Sequence, residues 1–244
     1  MIVIGWILSP IRTLLAIVHT TLSSVAGLIV MAIHPDRGDW MMWNVGRRFW
    51  SRPLLRWVLG AKLDIVVDPE AQALANSGQG VVIVANHTSL IDINAAFSAS
   101  PWPIVFLSKA SIRKVPLLGK LNELAGTVFV ERGNRASSEQ AVGQLSRTLK
   151  EGRSVLVFPE GTRSKDGALK AFKKGAFHLA KAGNAPIVPM HIEGTYDRLP
   201  SQSFLFRPSQ KSIRVRIGQP MSSKHAGPDV LMAEARKRIE SLSQ

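Results

Sequence analysis

Gly80-Val81-Val82-Ile83-Val84-Ala85 is the stretch on which the fold turns. It is a short, unbroken apolar run rich in β-branched side chains, the pattern of a strand covered on both faces. A polar burst follows at once, Asn86-His87-Thr88-Ser89-Leu90-Ile91-Asp92. Similar runs stand at residues 103–107, 127–130, 154–158 and 187–191. Residues 212–217 alternate instead, with Arg214 and Arg216 set between Ile213, Val215 and Ile217, which predicts a half-exposed or edge strand. Helical patterns lie between the runs. Over 137–151 Ser137 can cap the N-terminus with Gln140 three residues on, Val142, Leu145 and Leu149 share a face, and Gly152 supplies a stop. Near the end, Leu231, Ala235, Ile239 and Leu242 form one stripe. Strands alternating with helices predict an α/β fold, a mostly parallel sheet flanked by helices, over residues 63–244.

Composition narrows the function. The 244 residues carry 31 Lys and Arg against 17 Asp and Glu, a net charge of +14, and 45% are hydrophobic. That is ample apolar material for a core, and the positive excess points to an anionic partner. No cysteine is present, which excludes disulfides, thiolate metal sites and a cysteine nucleophile. Neither HExxH nor a GxxxxGK loop occurs, so neither metal nor cofactor is expected.

Residues 1–62 read as a separate, membrane-associating segment, hairpin-like and amphipathic. Between Thr13 and Ile33 no residue is charged, a length that could cross a bilayer, although His19, Thr20, Thr21, Ser23 and Ser24 make its centre polar. That centre favours a partly inserted, monotopic form over a spanning one. Trp40, Trp43, Trp50 and Trp57 then interleave with Arg47, Arg48, Arg52 and Arg56, a mixture suited to the headgroup zone. The basic excess after Ile33 places the C-terminal bulk on the cytoplasmic face of a cytoplasmic (inner) membrane.

The candidate chemistry sits after the buried strands, where α/β sheets present their sites. His87 and Asp92 are five residues apart, about 140° around a straight helix, so they share no helix face. They meet only if His87 lies in the loop and Asp92 in the first turn of the next helix, with Thr88 or Ser89 capping it. A carboxylate on one imidazole nitrogen leaves the other free to take a proton. A second loop, Phe158-Pro159-Glu160-Gly161-Thr162-Arg163-Ser164, again follows an apolar strand. Between the two lie Lys109 and, closing Val128-Phe129-Val130-Glu131-Arg132, Arg132, both suited to phosphate.

Asn-His-x-x-x-x-Asp, with Phe-Pro-Glu-Gly-Thr-Arg-Ser about 70 residues later, the basic motif between them and Ala185-Pro186-Ile187-Val188-Pro189 beyond, resembles the glycerolipid acyltransferase family over roughly residues 63–200. Val130-Glu131-Arg132 stands where the family commonly has Ile-Asp-Arg. The resemblance implies His87 as general base, Asp92 as its orienter, and Lys109, Arg132, Glu160, Gly161, Thr162 and Arg163 as holders of glycerol phosphate. It implies acyl transfer from acyl-CoA or acyl carrier protein to the sn-2 hydroxyl of lysophosphatidic acid, without an acyl-enzyme, beside an anionic phospholipid bilayer. Backbone N–H groups at 88–89 or 161–162 are candidate oxyanion donors. Two alternatives stand beside this reading: another lysolipid acceptor, or a non-catalytic module binding anionic membranes. Nucleic acid fits poorly, because exposed aromatics interleaved with basic residues are lacking in the globular part.

Overall fold

The computed structural model describes residues 7–34, 41–131 and 133–244. Its strands are β1 (Leu63–Val67), β2 (Val82–Ala85), β3 (Ile104–Lys109), β4 (Val128–Val130), β5 (Ser154–Val157), β6 (Ile187–Glu193) and β7 (Ile213–Ile217). They form one sheet in the order β1-β7-β6-β2-β5-β3-β4. All neighbours pair parallel except β6 and β7, which run antiparallel. The α/β expectation therefore holds, as a mostly parallel mixed sheet.

The helices are α1 (Ser9–Ile33), α2 (Pro69–Asn76), α3 (Asp92–Ala99), α4 (Leu118–Leu124), α5 (Arg135–Lys150), α6 (Gly175–Ala182), α7 (Thr195–Arg198) and α8 (Pro228–Ser241). The period-2 alternation of the strands divides the core between two faces. Ile83, Ala85, Leu156, Met190 and Val215 meet Ala95, Ala96 and Phe97 of α3 and Leu54 and Leu55 of the N-terminal segment. Val82, Val84, Val155 and Val157 face Leu145 and Leu149 of α5, Phe177 of α6, and Leu231, Ala235 and Ile239 of α8.

One expectation is narrowed and another needs correction. Strand β7 is half-exposed, as its alternation says, but it is not an edge, because β1 pairs along its whole length. Leu63-Asp64-Ile65-Val66-Val67 alternates too weakly to announce itself as the outer strand. Helix α5 is capped by Asn134, whose side chain accepts from Ser137 N at 3.0 Å, so it starts before Ser137. The Ser137 hydroxyl accepts instead from Glu131 N at 3.0 Å.

The N-terminal helix α1 runs 25 residues, about 37 Å at 1.5 Å per residue. Two π-helical stretches, Met41–Ser51 and Leu54–Val58, return along it. The polar centre of α1 faces this return: His19 Nε2 bonds Trp50 O at 3.0 Å, and Trp50 Nε1 donates to Thr20 Oγ1 at 3.3 Å. Trp43 and Trp50 pack on Phe97 of α3 with ring centroids 5.7 and 6.2 Å away. Arg47 Nε and Arg52 Nη2 both donate to Ser98 O, at 3.2 and 3.3 Å, where the end of α3 leaves carbonyls unpaired. These four half-buried side chains thus tie the segment to the sheet's helix layer. Arg48 and Trp57 are exposed, as is Arg56; Trp40 lies outside the described residues.

Candidate active site

Strand register brings the separated motifs together. Val84 stands opposite Val157 in the parallel pair β2–β5. Three residues beyond each lie His87 and Glu160, so loops 73 positions apart leave the same sheet edge side by side, and His87 N donates to Glu160 Oε1 at 2.7 Å.

The pair read from the sequence forms. His87 lies in the loop and Asp92 opens α3, fully buried. Asp92 Oδ2 accepts from Thr88 N at 2.7 Å, Ser89 N at 2.8 Å and His87 Nδ1 at 2.9 Å. The capping runs opposite to the expected sense: the aspartate caps the turn that carries the histidine. Ser89 Oγ is otherwise engaged, donating to Leu199 O at 2.6 Å and accepting from Ile91 N at 3.3 Å. An ionised carboxylate only accepts, so Nδ1 carries the hydrogen and the lone pair sits on Nε2. Phe158 stacks on the imidazole at 3.9 Å with planes 14° apart, which fixes the ring's second rotation.

Glu160 is buried beneath this loop, and its second oxygen accepts from Lys170 N at 3.2 Å. Both oxygens are thus turned toward backbone, a placement that supports His87 rather than facing outward. Burial pushes its carboxyl above the ordinary glutamate range, against the pull of the two N–H donors. The far side of the histidine is pinned as well, since Ser164 N donates to His87 O at 2.7 Å. Asn86 braces β2 to β6 by a reciprocal pair, Nδ2 to Ile192 O and Ile192 N to Oδ1, each 2.8 Å.

The remaining candidates spread along the same edge. Gly161 takes φ +71°, a turn conformation that favours glycine, and the Lys173 side chain lies over it, with Cε and Nζ 3.2 Å from where a Cβ would stand. Thr162 is exposed and Arg163 half-buried. Exposed Lys109 ends β3, two strands from β2, about 10 Å away at the usual strand spacing. Arg132 lies outside the described residues. Of the four candidate oxyanion donors, the N–H groups of Thr88, Ser89 and Gly161 are already engaged, the last on Phe158 O at 3.0 Å. Only Thr162 N has no protein acceptor among the described residues. Phe158 and Ser164 lay within the quoted loop without being singled out, and Leu199, a buried apolar residue whose carbonyl is used, gave no signal.

Comparison with known proteins shows the family. The family described as Acyltransferase matches residues 65–193, which span both loops. A chloroplastic 1-acyl-sn-glycerol-3-phosphate acyltransferase of Arabidopsis thaliana is 37% identical over 168 residues, 68% of this chain and 46% of that protein. The chain thus spans about half the length of the plant relatives it matches. A 1-acyl-sn-glycerol-3-phosphate acyltransferase of Saccharomyces cerevisiae is 31% identical over 97% of this chain and 77% of its own. The crystal structure of the 1-acyl-sn-glycerophosphate acyltransferase of Thermotoga maritima superposes with a TM-score of 0.80 at 23% identity, covering 98% of this chain and 96% of that one, a likeness of fold. With half of its length under the family's pattern and the paired loops at one sheet edge, the chain belongs to the Acyltransferase family.

Proposed function

We propose that the protein is a 1-acylglycerol-3-phosphate O-acyltransferase: it moves a fatty acyl chain from acyl-CoA or acyl carrier protein to the sn-2 hydroxyl of lysophosphatidic acid, forming phosphatidic acid. The observation that carries the reading is an imidazole whose Nδ1 is held by a buried carboxylate while no protein group among the described residues bonds Nε2. Nε2 takes the proton of the acceptor hydroxyl as its oxygen attacks the thioester carbonyl. The tetrahedral oxyanion collapses, the C–S bond breaks, and the proton passes from Nε2 to the thiolate. Asp92 stabilises the transient imidazolium. Lys109, Arg132 and Arg163 hold the acceptor's phosphate, and Thr162 N is the remaining donor for the oxyanion. The names of the relatives support this substrate class.

The reading includes a membrane surface. Helix α1 is amphipathic in the inverted sense: its polar centre bonds protein, while Leu14, Ile17, Leu22 and Ile29 point outward. It also touches the globular part near both ends, through Thr13 Oγ1 on Phe206 N at 3.2 Å and through Met31 against Ala125. A helix held at both ends lies along the domain, which supports monotopic insertion in one leaflet, with the α/β domain on the cytoplasmic face. The test is thiol release from a long-chain acyl thioester, with and without lysophosphatidic acid, for wild type and His87→Ala. Acceptor-dependent release lost in the variant is expected. Folded wild type inactive with both donors would sink the substrate assignment.

A further inference from the structure

The loop between α7 and β7 exposes apolar side chains that the catalytic reading does not use. Phe204 is 93% exposed and Leu205 47%, with exposed Arg207 two residues on. The loop is built to present them. Ser203 N donates to Pro200 O at 2.9 Å, and Ser203 Oγ accepts from Leu205 N at 3.1 Å and donates to Leu205 O at 2.8 Å. Phe206, next in line, turns inward and is buried against the core that Leu54 and Ala16 share. Its N–H donates to Thr13 Oγ1 of α1 at 3.2 Å, so the loop is fastened to the helix whose outward residues are apolar. Two residues of chain span at most about 7 Å, which keeps Phe204 near Thr13 on the helix that exposes Leu14 and Ile17.

We infer that residues 201–207 form a second membrane contact, continuous with the face of α1, in which Phe204 and Leu205 enter the acyl region of an anionic leaflet and Arg207 meets its headgroups. The inference rests on the membrane reading of α1. Charge selects the occupant. No acidic residue occurs from Leu199 to Ser212, and none among the first 35 residues; Asp197, just before the loop, is paired with Lys211 Nζ at 2.8 Å, so the joint surface is apolar with a net basic fringe. An anionic lipid surface fits it, whereas a protein partner would call for a mixed polar rim. The effect is to hold the domain at two points and fix its tilt on the membrane.

The absence of native cysteine makes a direct test available, because single-cysteine variants label uniquely. Phe204→Cys, Leu15→Cys and Gln79→Cys carry an environment-sensitive fluorophore and are mixed with phosphatidylcholine–phosphatidylglycerol vesicles bearing acyl-chain nitroxides. Quenching at 204 and 15 but not at 79 is the expected result. Quenching at 15 without 204 overturns the inference and leaves the reading of α1 standing; quenching at neither overturns both. A blue shift at 204 without lipid, with dimer in sedimentation, makes the loop a protein interface and also overturns it. Phe204→Ala should weaken vesicle partitioning about tenfold while thiol release in detergent micelles stays unchanged. Unaltered partitioning would count against the contact.

Discussion

Replacing Glu160 by Gln probes the support under His87, the proposed general base. In the wild type one buried carboxylate receives two backbone donors, His87 N at 2.7 Å and Lys170 N at 3.2 Å. An amide offers one acceptor. Its oxygen stays with the shorter bond, and its NH2 then faces the Lys170 N–H donor to donor. An unsatisfied buried donor costs about 1–3 kcal/mol, partly offset by removal of a buried charge. A net loss of about 1–2 kcal/mol lowers Tm by roughly 2–8 °C for a chain of this size. The pH dependence has a definite sign. Burial raises the Glu160 carboxyl, so the folded state holds its proton more tightly than the unfolded state. The wild type's advantage from this group is full below the ordinary glutamate pKa and is lost as pH rises through the raised value. Glutamine does not titrate, so the Tm gap between the two proteins narrows between a pH near the ordinary glutamate pKa and one above the raised value. Scanning calorimetry in detergent at both pH values reads this directly. A gap that widens toward alkaline pH would show the two N–H donors outweighing burial and refute the reasoning. The same variant separates support from substrate contact. Acting through the His87 backbone, Glu160→Gln lowers kcat about tenfold at unchanged KM for lysophosphatidic acid; a raised KM at unchanged kcat would mean that Glu160 touches the acceptor.

Two other variants test neighbouring parts of the geometry. In Asp92→Asn the Thr88 and Ser89 N–H groups force the amide oxygen into the Oδ2 place, so the histidine keeps its tautomer and loses only its counter-charge; kcat should fall by about 10²–10³, short of the roughly 10⁴ that a wrong tautomer brings. The amide NH2 lands where Oδ1 already meets no protein partner among the described residues, so no further group is left unpaired; stability falls instead by about 1–3 kcal/mol because the bonds at Oδ2 pass from a charged acceptor to a neutral one, and steady-state kinetics beside a melting curve distinguishes the two effects. Gly161→Ala places a Cβ at φ +71°, costing about 1–2 kcal/mol, while the nearby Lys173 tip can swing aside; Tm should drop by roughly 2–8 °C, and a drop below about 1 °C would contradict the left-handed turn.

The central strands were legible because burial on both faces leaves an unmistakable apolar run, as in β2 and β5. The pairing of His87 with Asp92 was legible as well, since five-residue spacing admits only a loop-to-helix geometry. Strand β1 was not read, because an edge strand with one solvated face writes a short alternation that resembles a loop. Nor was the sense of the capping. A serine before a helix looks like its cap, and only the fold shows that Asp92 gathers the backbone donors while Ser89 turns to Leu199. The Trp and Arg cluster hid a second role for a related reason. Amphipathic side chains suit a headgroup layer, but Trp43, Trp50, Arg47 and Arg52 suit equally a helix layer that ends in open carbonyls. Composition states what such residues can satisfy, and topology decides which demand is nearest.

The catalytic loop is held by its backbone more than by its side chains. Three successive N–H groups, those of His87, Thr88 and Ser89, all donate to buried carboxylates, and the carbonyl of His87 takes Ser164 N. Two carboxylates buried within one small site are costly, and each is retained because it anchors a different chain segment: Asp92 ties the loop to α3, and Glu160 ties it to the turn after β5. The proposed direct transfer between two bound substrates gives a reason for that expense. Without a covalent intermediate, base, hydroxyl and thioester must be aligned at one moment, and a misplacement of about 1 Å can cost about 10²-fold in rate. A loop free to rock about its own backbone would spoil that alignment however well Asp92 set the tautomer. On the proposed mechanism the burial of Glu160 and the stacking of Phe158 therefore belong to the reaction as much as the imidazole does, although neither reaches the transferred proton.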